Sequence, residues 1–173
     1  MAMSHFAGIE NASIGGGSSR NFEPGTYVVR LEGLKVVDSK KAPGTKYAIV
    51  ECNVRGYAPG VRPHLDDSIA PTPMSPNTFM EGDEVAWKVN MSLPSAMDNL
   101  KAFGLSVMQS VALENGQDPK SITESQISPQ VMDTLFAPNG SPAIGLEMRV
   151  EAFIIFTRAN NPFTKVRWAV KGN

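Results

Sequence analysis

Side chains able to do covalent or metal chemistry are few in this sequence and stand apart. Its 173 residues hold two histidines and one cysteine. His5 lies near the amino end. His64 opens His64-Leu65-Asp66-Asp67, an imidazole beside two carboxylates in a proline-rich stretch. A zinc-type site needs further nitrogen or sulfur ligands, and no second histidine or cysteine pair accompanies this one. The expectation is a solvated loop, with no metal and no cofactor. Cys52 falls on the apolar parity of a strand pattern with no base beside it, so it reads as a small core residue and not a nucleophile. No serine sits in a Gly-x-Ser-x-Gly elbow. Ser13-Ile14-Gly15-Gly16-Gly17-Ser18-Ser19 lacks the Gly-Lys-Ser/Thr of a P-loop and reads as a linker. These residues together point to a protein that binds and does not catalyse.

Cations and aromatics make a denser pattern. Lys40, Lys41 and Lys46 lead directly into Tyr47, and Arg55, Tyr57 and Arg62 follow. Lys88 lies on the polar parity of a later strand, and Arg158, Phe163, Lys165 and Arg167 cluster near the end. Lysine and arginine neutralise phosphates, while aromatic faces stack on unpaired bases for about 1–3 kcal/mol per base. The net charge of −1 conceals a segregation. Residues Arg20 to Gly60 carry +3, Pro94 to Asn139 carry −3, and Met148 to Asn173 carry +4. Local field matters more to a polyanion than the total.

The elements that must position these residues are mostly strands. Residues 1–21 read as a flexible arm and 22–173 as one barrel domain. Glu23-Pro24-Gly25 signals a turn. Tyr27 to Val37 alternates, with a phase change at Gly33 that marks a bulge or bend. Tyr47 to Arg55 places Ala48, Val50, Cys52 and Val54 on one face, with Tyr47 and Arg55 on the other. Gly56 to Asn77 reads as a long proline-rich connection. Glu84 to Met91 alternates again, with Trp87 on the apolar side. A helical insertion at about 93–137 follows: Met97, Leu100, Phe103, Val107 and Val111 recur at helical spacing, and Ser128-Pro129 caps a second short helix. Leu146 to Thr157 and Phe163 to Val170 form a closing hairpin, with Met148, Val150, Ala152, Ile154 and Phe156 on its apolar parity. The order is β-β-β-α-β-β, which predicts a mainly β protein: a five-stranded OB-fold barrel with a helical insertion. In that fold the basic loops and outward aromatics would converge on one groove.

The ordered segments resemble the OB-fold single-stranded DNA-binding proteins of tailed bacteriophages. The resemblance lies in Phe22-Glu23-Pro24-Gly25-Thr26-Tyr27, the Lys40-Lys41 loop before Tyr47-Ala48-Ile49-Val50-Glu51, and Glu81-Gly82-Asp83-Glu84-Val85-Ala86-Trp87. It continues in Asn99-Leu100-Lys101-Ala102-Phe103 and Pro162-Phe163-Thr164-Lys165-Val166-Arg167-Trp168. It implies sequence-tolerant binding of single-stranded DNA in replication, recombination or repair, in the cytoplasm of an infected bacterial host. Replication or recombination proteins and a second copy of the chain are further candidate partners. The ending Ala169-Val170-Lys171-Gly172-Asn173 has no acidic tail of the kind that recruits replication proteins in such families.

Two other readings compete. The barrel could be a structural module of a virion or assembly protein, with the arm and proline-rich loop as docking elements. An enzyme of nucleic-acid metabolism would need carboxylates such as Asp66 and Asp67 to converge. No apolar run approaches the ~20 residues that span a bilayer, the amino terminus lacks a signal-peptide pattern, and a single cysteine fits a reducing compartment.

Overall fold

A computed structural model describes residues 20–58, 79, 81–137 and 140–171. The expectations for the arm up to residue 19, for His5 and for Arg62, His64, Asp66 and Asp67 fall outside these residues. The strands are β1 (Arg20–Asn21), β2 (Gly25–Asp38), β3 (Lys46–Ala58), β4 (Glu84–Asn90), β5 (Glu147–Phe156) and β6 (Pro162–Val170). Helix α1 (Ala96–Glu114), two 3-10 turns and helix α2 (Pro129–Leu135) separate β4 from β5. The protein is thus mainly β with a helical insertion. Its sheet has six strands where the pattern predicts five, in the order β1-β4-β3-β2-β5-β6. The extra strand is the last two residues assigned to the arm: Arg20 and Asn21 pair in parallel with Val85 and Ala86. Two residues are too short for any periodicity to reveal. Gly56 to Ala58, expected in the proline-rich connection, extend β3 and pair back on β2.

β2 is the central strand and it bends where expected. Its pairing with β3 shifts between Leu31 and Gly33, and again between Val28 and Val29. The first shift turns the inward set from Tyr27, Val29 and Leu31 to Leu34, all buried. One strand can therefore pair with β3 along most of its length and with β5 along its first half. The sheet curls into a half-barrel. β4 and β6 are not ladder neighbours among the described residues, yet Trp87 of β4 and Trp168 of β6 stand 5.6 Å apart between ring centroids.

α1 fills the open seam. Leu100, Phe103 and Val107 are buried, as the helical spacing predicts, and Phe103 and Val107 join the inward residues of all the long strands in one core. Met97, on the same predicted stripe, is exposed, and Ala96 is buried in its place. Ser106 Oγ donates to the Trp168 carbonyl at 3.0 Å, so the helix satisfies an acceptor on the sheet edge. Ser128 caps α2 as expected, its Oγ accepting from the Val131 N–H.

The other end of the core is closed by Tyr27, which is fully buried and packs on Phe22 and Phe79. Its hydroxyl donates to the Glu23 carbonyl at 2.9 Å. Gly25, at φ +150°, lets the chain pass: a Cβ there would stand 2.9 Å from the Tyr27 hydroxyl oxygen. Burial, then the nearby Glu23 charge, pushes the Tyr27 pKa up to about 12 from 10. A group whose folded pKa is raised keeps its stabilising effect below the unfolded value and loses it as pH rises toward the folded one. Phenolate absorbance should show one tyrosine silent until the protein loosens between about pH 10 and 12, and Tyr27→Phe should abolish that late step.

Candidate nucleic-acid interface

Directly opposed residues in a ladder share a face, so the register places every outward side chain. On β4, β3 and β2 the outward rows are Asn90–Tyr47–Val37, then Lys88–Ile49–Lys35. Lower down comes Glu84–Asn53–Arg30, which continues to Glu147 on β5. Arg149 and Ala169, Glu151 and Arg167, Phe153 and Lys165, then Ile155 and Phe163 continue the same parity on β5 and β6, but Phe153 is fully buried and adds no accessible surface to the face. Arg55 lies within the second irregularity of β3, and its Nε stands 4.0 Å from Glu147 Oε2, which puts it on the same side.

The predicted residues form two groups. Lys40, Lys41, Lys46, Tyr47 and Lys88 surround the β2–β3 hairpin. Its loop is pinned by the Ala42 N–H donating to Ser39 Oγ at 3.2 Å and the Ser39 N–H donating to the Thr45 carbonyl at 2.8 Å. Lys40, Lys41 and Lys46 are exposed there, and Tyr47 is half-buried. Arg158, Phe163, Lys165 and Arg167 belong to the β5–β6 hairpin, whose turn is held by the Thr157 N–H donating to the Asn161 carbonyl at 2.9 Å, with Asn160 at φ 62°. Asparagine is one of the few side chains that tolerates this conformation. Tyr57 is placed by its backbone opposite Tyr27; its side chain and Arg62 lie outside the described residues.

The groups do not share one compact groove. Tyr47 is level with Val37, and Arg167 is level with Thr26 through Glu151. The rise of a strand makes that roughly 36 Å along bent β2. Arg55 lies between them. The result is a band along the convex face with a hairpin at either end.

Ion pairing divides the cations. Lys35 pairs with Glu51 at 3.2 Å, Arg30 with Glu32 at 2.8 Å, and Arg149, Arg167 and Lys171 with Glu151 or Glu147. Lys40, Lys41, Lys46, Lys88, Arg158 and Lys165 make no ion pair among the described residues. Glu147 is held below the ordinary carboxylate range, first by the Lys171 hydrogen bond and further by the charges of Lys171, Arg55 and Arg30. Over the outward strand positions and the two hairpin loops, basic residues outnumber acidic ones. The acids of the helical insertion, Asp98, Glu114, Asp118, Glu124 and Asp133, are all exposed, on α1, which packs on the strands, and on the elements packed against α1.

Some functional candidates escape the sequence pattern. Phe156 shares the apolar parity of β5 but is 66% exposed, and Phe163, on the opposite face of the hairpin, is 55% exposed. The reason is register: β2 stops pairing with β5 at Gly25–Ala152, so the hairpin projects past the core. Alternation marks Arg149 only as an outward residue, and Glu151, also outward, is 2% exposed.

Other chemistry is sparse. Burial, and then Glu32 and Glu51, raise the Cys52 thiol pKa well above its ordinary value, which keeps it protonated and unreactive. No group of three His, Cys, Asp or Glu side chains able to hold a metal ion exists among the described residues, nor any helix long and apolar enough to cross a membrane. A cavity of about 330 Å³ opens beside α1 and α2, lined mainly by apolar groups such as Met91, Met97, Leu100, Met132 and Phe136. It contains none of the predicted binding residues. No family model matches the chain, and no curated protein matches it.

Proposed function

We propose that the protein binds single-stranded nucleic acid, DNA in the first instance, along the convex face of an OB-type half-barrel and without strong sequence preference. The observation that carries this reading is the separation of charge: cations on the outward strand positions and both hairpins, acids on the helices across the core. Lysines that make no ion pair among the described residues, at one end, can neutralise phosphates. Phe163 at the other end, and Tyr47 between lysines, offer stacking faces to bases. Strand order and the insertion after the third long strand support the OB-type reading. The choice of DNA, and a role in phage replication, recombination or repair, rests on the resemblance of the ordered segments to phage single-stranded DNA-binding proteins.

Amide chemical shifts recorded while adding oligo-dT test this directly. Tyr47, Ile49, Lys88, Arg149 and Lys165 should move, and the exposed acids of α1 and α2 should not. Shifts confined to the helices and the apolar cavity beside them would reject the proposed face. Intrinsic tryptophan quenching is a poor readout, because Trp168 is buried and Trp87 packs against the core.

A further inference from the structure

The apolar cavity of about 330 Å³ stands apart from the convex face. Val36 and Ala48 bring the inward parity of β2 and β3 to it, Met97 and Leu100 form its α1 wall, and Met132 and Phe136 face them from α2 and its end. The seat is set by helix packing. At Gly104 the helices approach so closely that a Cβ would stand 2.6 Å from Met132 Sδ. Met91, Met97 and Met132 all line the cavity, and such unbranched, polarisable side chains adapt to varied apolar occupants.

The apolar surface does not stop at the cavity. Met97 is 55% exposed and Val36 43%, and Leu93, two residues after Met91, is 52% exposed. A pocket built for a small molecule encloses most of its ligand. An apolar rim left open calls for an occupant that continues past the cavity, as a polypeptide does when it lays an apolar face into a groove.

Charge states the kind of polypeptide. Asp133 lines the cavity and makes no ion pair among the described residues. Lys101 lines it too, but Glu124 holds that ammonium at 3.3 Å. Asp98 follows Met97 in α1 and shares the adjoining hollow with Lys101 and Glu124. The helical side thus sets three carboxylates against one ammonium already paired. The strand side adds Asp38 opposite Lys46, one of each sign, with Lys40 and Lys41 beyond them in the hairpin loop.

We propose that this groove docks an amphipathic segment of a partner protein. Its apolar residues seat among Met91, Met97 and Met132, and its lysine or arginine flank lies on the helical side, at Asp133 and Asp98. The proposal goes beyond the nucleic-acid reading and does not rest on it, since the groove shares no residue with the convex face.

The probe is an amphipathic peptide of leucine and lysine, with leucines at i, i+3, i+4 and i+7, titrated into protein labelled at its methionine methyls. The Met91, Met97 and Met132 signals should move together and saturate, while that of Met148, fully buried in the core, stays. The same peptide with glutamate for lysine should bind there at least about tenfold more weakly. Met97→Glu separates seat from field. Its added negative charge alone would tighten binding of a basic peptide, yet loss of the apolar seat should weaken it about tenfold. Asp133→Lys should weaken binding about threefold at low salt. Glu114→Lys makes the same charge change about 26 Å along α1 from Met97 and should leave binding unchanged. Melting curves accompany each variant, and should Met97→Glu fail to fold, Asp133→Lys against Glu114→Lys decides. Unmoved methyls at about millimolar peptide, equal binding of the glutamate peptide, or unchanged or tighter binding by the deciding variant overturns the proposal. Movement of the same methyls with protein concentration alone also overturns it, and gives the groove to a second copy of the chain.

Discussion

Phe103→Ala should destabilise the protein by about 3–5 kcal/mol, a large fraction of the stability of an ordinary domain. Phe103 is fully buried. Its ring centroid lies 4.8 Å from that of Trp168, 5.5 Å from Trp87 and 6.1 Å from Phe136. One side chain thus ties α1 to β4, to β6 and to the residue following α2. It does so at the seam where β4 and β6 meet through side chains instead of a ladder. Truncation leaves a cavity there, and the rings around it belong to different elements that cannot all relax inward together. Urea denaturation measures the loss. Tryptophan emission should shift to the red in the same variant, since both indoles lose a neighbour. Phe163→Ala is the control: at 55% exposure it should leave stability almost unchanged.

The second large effect is on binding. Replacing Lys40, Lys41, Lys46 and Lys88 together by alanine should lower affinity for oligo-dT by about three orders of magnitude near 50 mM salt. None of the four is in an ion pair among the described residues, so none has to leave a carboxylate to meet a phosphate. On a single strand each phosphate contact contributes about 0.7 to the slope of log affinity against log salt, so that slope should fall by roughly 3. Folding stability should change by less than about 0.5 kcal/mol per site, as for ordinary surface positions. A salt-series titration of the variant checks both the affinity and the slope. Arg55→Ala should cost less, since Glu147 already holds that guanidinium.

What can be read from the chain divides along a physical line. Alternation reports which face a strand residue occupies, because it depends only on neighbours in sequence. The inward Val50, Cys52 and Val54, the outward Tyr47, the bend at Gly33 and the Ser128 cap are all legible for that reason. Height along a strand is different. It is set by the partner a residue faces, far away in sequence, and no periodicity encodes it. Tyr47 and Arg167 therefore look like neighbours in one groove, although the ladder puts them at opposite ends of a band. Phe156 misleads for the same reason: its parity is apolar, but the core ends before it. Glu151 shows a further limit. A glutamate at an outward position reads as solvated until the ladder reveals two arginines closing over it.

Charge follows the same division. The segment totals locate the acids in the insertion and the cations in the strands. Only the fold shows that these segments lie on opposite sides of one core, with Phe103 and Val107 of α1 facing inward among the strand residues. That arrangement turns a near-neutral chain into one with a cationic convex face.

The central claim is that this face binds single strands. The most direct measurement titrates the protein with a labelled oligo-dT and with a duplex of equal length, each at low and moderate salt. The prediction is tight, salt-sensitive binding of the single strand and markedly weaker binding of the duplex, whose bases are stacked away from Tyr47 and Phe163. Equal affinity for both, or no binding of oligo-dT at low salt, would contradict it.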